Sequence, residues 1–149
     1  MESEVKDEKT RVLFLCVHNS ARSQIAEAHL LATAGGRFDV QSAGLKPKEI
    51  NPLVIEVLRE EGIDISGKKT HSAFEFYQQG RLYDYVITVC DEEIEAQCPV
   101  FPGITRRLHW PFPDPAAVTG TREEKLAKVR AIRDTIEAKI DQWADSLES

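Results

Sequence analysis

Apolar positions along the chain alternate between two periods. Arg11–Val17 (RVLFLCV) is a short, nearly continuous apolar run, the mark of a strand covered on both faces. A helix is expected next, with Ala21, Ile25, Ala28 and Ala32 on one face of small residues and Gly35-Gly36 ending it. Phe38–Ser42 reads as a second strand. A helix follows with Asn51 as its cap, Pro52 at the first position, Val54, Val57 and Leu58 in helical register and Gly62 as its stop. Tyr83–Val89 (YDYVITV), rich in β-branched and aromatic residues, predicts a third strand, and Thr105–Trp110 a shorter fourth. The last helix opens with the capping-box pair Thr121 and Glu124. It repeats apolar residues at Leu126, Val129, Ile132, Ile136, Ile140, Trp143 and Leu147.

Strands alternating with helices imply right-handed crossovers. The expected fold is α/β: an open, mainly parallel four-stranded sheet with helices on both faces, flavodoxin-like, in one domain spanning residues 1–149. Glu2–Arg11 is expected to be a solvated tail. In such a sheet, ligands sit at the carboxyl ends of strands. Cys16 ends the first strand and Cys90 follows the third.

Bulk composition narrows the partners. The net charge of −6 and the lack of a basic stripe argue against nucleic acid. No apolar run approaches a membrane span, and the mixed-charge start does not read as a signal peptide. Three cysteines, an odd count, suit free thiols in the reducing cytoplasm. No long exposed apolar face calls for a dimer, so a monomer is expected.

Chemistry concentrates at Cys16-Val17-His18-Asn19-Ser20-Ala21-Arg22-Ser23, with five residues between the cysteine and the arginine. Between a strand and a helix, a loop of that length curls so that successive N–H groups point inward. It then feeds a helix N-terminus whose dipole favours an anion. Arg22 adds a planar fork for two oxygens of a phosphate-like group. The same field favours a nucleophilic thiolate. The motif Cys-x-x-Asn-Ser-x-Arg-Ser is similar to that of the low-molecular-weight protein tyrosine phosphatases and of the arsenate reductases that share their fold. The resemblance implies that Cys16 is the nucleophile, that residues 17–23 bind the oxyanion, that Ser23 supports the thiolate and that Asn19 shapes the loop.

A phosphatase needs one cysteine, whereas this chain has Cys90 and Cys98 in addition, seven residues apart. If the first and third strands are neighbours, Cys90 approaches Cys16, and three thiols permit a relay in which each displaces the next at sulfur. Bridged Cα atoms lie about 4.4–6.8 Å apart, whereas eight extended steps span roughly 26–29 Å. The 90–98 segment must therefore fold back. Zinc on Cys90, Cys98, His71 and His109 is the competing use of these residues, but no two stand at the usual close ligand spacing. The three-cysteine arrangement resembles the thioredoxin-coupled arsenate reductases over essentially the whole chain. There the interval between the later cysteines can be one residue shorter. That resemblance implies arsenate as substrate, thioredoxin as reductant and no tightly bound cofactor.

His109-Trp-Pro-Phe-Pro-Asp-Pro-Ala116 presents one acid in a Pro-rich loop, and by the same resemblance Asp114 protonates the departing oxygen. Many phosphatases have an aromatic residue where Ala116 stands. Some relatives bind potassium beside the loop, and the matching positions are Asn19, Glu27, Ser42 and Asp64. A tyrosine phosphatase is the nearest alternative activity, and a non-catalytic phosphocarrier the next. His18, His29, His71, Arg106 and Arg107 are read as solvated or structural.

Overall fold

The structure is a computed structural model and describes residues 9–90 and 97–147. Its strands are β1 (Thr10–Cys16), β2 (Phe38–Gly44), β3 (Tyr85–Thr88) and β4 (Arg106–His109). The helices are α1 (Arg22–Ala34), α2 (Pro52–Arg59), α3 (Ala73–Gln78) and α4 (Arg122–Ser146). All strand pairs are parallel, in the order β2-β1-β3-β4. Successive residues of a strand face opposite sides of a sheet. Val12, Leu13, Phe14 and Leu15 are all fully buried, so the central strand is covered on both faces. On the Val12–Phe14 side, Trp143 of α4 packs against Phe38, Tyr85 and Trp110.

The predicted caps are present. Asn51 Oδ1 accepts from Leu53 N–H at 2.9 Å, and Thr121 and Glu124 form the reciprocal box. Several details differ from the sequence reading, among them β3 and β4, which are Tyr85–Thr88 and Arg106–His109 rather than Tyr83–Val89 and Thr105–Trp110. Thr10 belongs to β1 rather than to a tail, because it pairs with Phe38, while Arg11 lies in the strand as the apolar run implied; residues 1–8 of the expected tail lie outside the described residues. Ala32 is exposed, and the buried side of α1 runs through Ile25, Ala26 and Leu30 instead. β2 continues to Gly44, since parallel pairing with β1 persists to Cys16. Helix α3 was not foreseen: six residues are too few to show a period, and its visible signal is Ser72, whose Oγ accepts from Phe74 and Glu75 N–H.

Where α1, α2 and α4 converge, Glu137 is largely buried. Glu61 and Asp134 each bring a carboxylate oxygen within 4.8 Å of it. His29 Nδ1 lies 3.6 Å from Glu137, His29 Nε2 lies 2.8 Å from Asp141, and Arg133 faces Glu61 and Asp134. Burial, reinforced by the Glu61 carboxylate, pushes the Glu137 carboxyl up to about 8. A raised carboxyl contributes stability that is complete below its ordinary value of 4.5 and lost as pH rises through about 8. Glu137→Gln keeps the shape and removes the ionisation. Its melting temperature should therefore fall less than that of the parent across this window, and parallel melting curves would refute the assignment.

Candidate active site

The loop from Cys16 to Arg22 is held from outside by its carbonyls. The oxygens of Cys16, Val17, His18 and Ser20 accept from the N–H groups of Leu45, Lys46, Lys48 and Asn51 at 2.8–3.3 Å. In a trans peptide the N–H points opposite to the carbonyl. The N–H groups of Val17, His18, Asn19 and Ala21 are thereby turned inward, onto the same side as the first turn of α1. Asn19 has φ 53°, the left-handed conformation that asparagine tolerates better than most residues. That turn aims its N–H at Cys16 Sγ, 3.2 Å away.

Cys16 Sγ also lies 3.0 Å from Ser23 Oγ. Ser23 Oγ receives a hydrogen bond from Asn19 Nδ2 at 2.8 Å, which leaves the serine proton to donate to sulfur. The amide of Asn19 cannot be turned round. Its Oδ1 faces the His71 backbone N–H at 2.9 Å, a group that only donates, and Gln24 Nε2 at 3.1 Å. Its Nδ2 makes a second bond to Ser42 Oγ at 2.9 Å, and Ser42 in turn donates to Glu27 Oε1 at 2.5 Å. Asn19, Ser23, Gln24, Glu27 and Ser42 are all buried.

Arg22, 4 % exposed, donates to Phe112 O at 3.0 Å and has Nη2 3.9 Å from Asp114 Oδ2. Asp114 Oδ1 caps the 3-10 turn Pro115–Ala117 by accepting from Ala116 N–H at 2.9 Å. The acid is thus fixed beside the arginine that belongs to the loop. A groove of about 580 Å³ adjoins it, lined by Pro52, Leu53, Ala116 and Val118, with no aromatic ring among its lining residues.

β3 is the neighbour of β1, with Leu15 opposite Thr88, so Cys90 leaves the sheet next to the strand that ends in Cys16. Val89 N–H donates to Leu15 O at 2.9 Å, extending that neighbourhood one residue further. Cys16, Cys90 and Cys98 are all buried, and none of the three is in a disulfide. The polar stretch expected to move between Cys90 and Cys98 has residues 91–96 outside the described residues.

Two residues set aside in the sequence reading behave as expected in their side chains. His18 turns outward to Lys46 O at 3.0 Å, and His29 bridges α1 to α4. What the sequence reading missed is the strap Asp64–Ser72 behind the loop. From it come the His71 N–H on Asn19, the His71 carbonyl that accepts from Gly44 N–H at 2.9 Å, and the Lys68 ammonium on Glu27. Gln24 was missed as well. Lys68 and His71 act across fold contacts that linear spacing does not mark, whereas Gln24 acts on Asn19 only five residues away.

Of the four oxygen donors expected for potassium, Asn19, Ser42 and Glu27 are brought together. Asp64 is not: it is exposed, accepts from Ser66 N–H at 2.9 Å and pairs with Arg59 at 3.8 Å. The carboxylate of Glu27 is already paired with Lys68 Nζ. This donor set does not fit an exchangeable cation.

The family model described as low molecular weight phosphotyrosine protein phosphatase matches residues 11–149. The chain belongs to that family. Within it, the chain is 38% identical over 138 residues to an arsenate reductase of Halalkalibacterium halodurans, covering 93% of this chain and 97% of the relative. It is 35% identical over 135 residues to an arsenate reductase of Bacillus subtilis, covering 91% and 95%. Among solved structures, the thioredoxin-dependent arsenate reductase of Corynebacterium glutamicum superposes with a TM-score of 0.72 at 34% identity, over 99% of this chain and 66% of that one. The family resemblance drawn from Cys16–Ser23 is therefore correct, as is the four-stranded parallel sheet of the family fold. No helix among the described residues is long and apolar enough to cross a membrane.

Proposed function

We propose that this phosphatase-family chain is an arsenate reductase regenerated by thioredoxin. The observation that carries the reading is the adjacency of β1 and β3, which sets Cys90 beside the loop of Cys16. The Cys16 thiolate attacks arsenic, bound by inward N–H groups and by Arg22, and a protonated Asp114 delivers its proton to the departing oxygen. Cys90 then attacks Cys16 Sγ. The sulfur–arsenic bond breaks, its electron pair stays on arsenic, and arsenite leaves as a Cys16–Cys90 disulfide forms. Cys98 attacks Cys90, the Cys16 thiolate is released, and the oxidation rests in a Cys90–Cys98 disulfide for thioredoxin to reduce.

Two thiolates supply both electrons, so the reaction calls for no tightly bound cofactor on this chain. All three sulfurs belong to one chain, which suits a monomer, and cysteines outside any disulfide suit the cytoplasm. Ala116 offers no ring to stack on a phosphotyrosine, which favours the small inorganic anion.

The reading is tested by following NADPH oxidation with arsenate, thioredoxin and thioredoxin reductase. Turnover that requires arsenate and all three cysteines is expected, with only weak hydrolysis of p-nitrophenyl phosphate. Brisk hydrolysis without arsenate-dependent oxidation would replace it with the tyrosine phosphatase reading.

A further inference from the structure

The cluster behind the oxyanion loop contains a buried carboxylate that has to be balanced. Glu27 is 8 % exposed, and a carboxylate withdrawn from water is tolerated only when paired and hydrogen-bonded. Its Oε1 accepts the Ser42 hydroxyl and is paired with the Lys68 ammonium. The other carboxylate expected near this position, Asp64, is committed to Ser66 and Arg59 at the surface.

We propose that Lys68 is the resident cation of this cluster, a positioning residue that acts on Cys16 through Glu27, Ser42, Asn19 and Ser23. The proposal rests only on Cys16 as the nucleophile, not on the identity of the substrate. Its logic is the direction of each hydrogen bond. The His71 N–H orients the Asn19 amide so that Nδ2 faces both Ser23 and Ser42. Ser42, receiving from Asn19, has one proton to give and gives it to Glu27. Glu27 accepts that proton as a carboxylate, and the Lys68 ammonium offsets the charge it carries out of water. Without that ammonium the buried carboxylate would have to turn toward solvent, leaving the Ser42 proton without an acceptor. Asn19 would then lose part of the grip that keeps it left-handed. Its N–H on Cys16 Sγ and the donor role of Ser23 both depend on that grip.

Lys68 belongs to the same strap as Lys69, whose carbonyl lies 3.5 Å from Gln24 Nε2, and as His71. The cation is therefore built into the backbone segment that already clamps Asn19. An ion drawn from solution would have to displace the chain's own ammonium from Glu27.

The test measures peptide-resolved alkylation of Cys16 by iodoacetamide at neutral pH, with melting temperatures in NaCl, KCl and choline chloride of equal ionic strength. Lys68→Met is expected to slow Cys16 alkylation about tenfold, the size of one charge-assisted hydrogen bond. Lys68→Arg should stay near the parent rate. Glu27→Gln combined with Lys68→Met should recover most of the loss, because an amide oxygen accepts from Ser42 without a cation. The parent protein should melt at the same temperature in all three salts. An unchanged rate in Lys68→Met, or a Lys68→Arg as slow as the methionine variant, overturns the proposal. So does a parent melting temperature raised specifically by potassium. Should Lys68→Met not fold, the double variant decides: near-parent alkylation supports charge balance as the role, and tenfold slower alkylation removes it. No arsenate or thioredoxin enters the assay, so its failure is separate from failure of the reductase reading.

Discussion

A Cys98→Ser protein is expected to reduce one arsenate per chain and then stop, holding a Cys16–Cys90 disulfide. The reason lies in the order of the thiols. Arsenite is released when Cys90 attacks Cys16, a step that does not involve Cys98, so the first turnover should proceed normally. A serine oxygen cannot take the next step by displacing sulfur, and the disulfide left behind lies where both partners are buried, Cys90 fully and Cys16 to 3 % exposure. Thiol exchange demands access for the attacking sulfur. Steady-state reduction with thioredoxin should therefore fall at least about a hundredfold while the burst amplitude remains one arsenite per chain. Mass spectrometry of non-reduced peptides reads the outcome. In the parent the oxidised pair should be Cys90–Cys98. Continued turnover at the parent rate, or three reduced thiols after exposure to arsenate, would exclude the relay.

The second large effect is expected at a residue with no reactive group. Gly44 ends β2 against the back of the oxyanion loop. A methyl group placed on it would lie 2.6 Å from Asn19 N, 2.8 Å from the His18 carbonyl carbon and 2.8 Å from Val17 O. All three are backbone atoms of the loop and none can swing aside as a side chain would. Gly44 is also tied on its other side by its N–H to His71 O and by the bridge to Ser72. Gly44→Ala must therefore push the loop outward. A displacement approaching 1 Å at the reacting groups should lower the rate about a hundredfold. The overpacking should cost about 3 kcal/mol of stability. Single-turnover kinetics and urea unfolding measure the two losses. A variant with parent stability and parent rate would mean the strand end yields more easily than this packing implies.

Much of the architecture could be read from residue order. The run Arg11–Val17 is buried at every residue from Val12 to Cys16, as a two-sided strand requires. The caps at Asn51 and Thr121 work by local hydrogen bonds, and local bonds leave local signatures. Where the reading failed, the cause was a distant partner. The α1 stripe was placed through Ala32, whereas the loop and the sheet bury the whole first part of the helix and leave Ala32 outside. α3 is too short to show a period. Thr10 looks like a tail residue until β2 is placed beside it.

The site divides in the same way. The order of Cys16, Asn19, Arg22 and Ser23 between a strand and a helix start marks the loop, but its amides turn inward because residues 45–51 hold its carbonyls from outside. That Cys90 belongs near Cys16 was conditional on strand order, and parallel pairing of β1 with β3 met the condition. The left-handed turn of Asn19, the direction of its amide and the pairing of Glu27 with Lys68 were beyond linear reading. They depend on pairings of Asn19 with Ser42 and His71 and of Glu27 with Lys68, which are 23 to 52 positions apart in the chain. Such contacts exist only once the sheet and its strap have closed around the loop and excluded water from it.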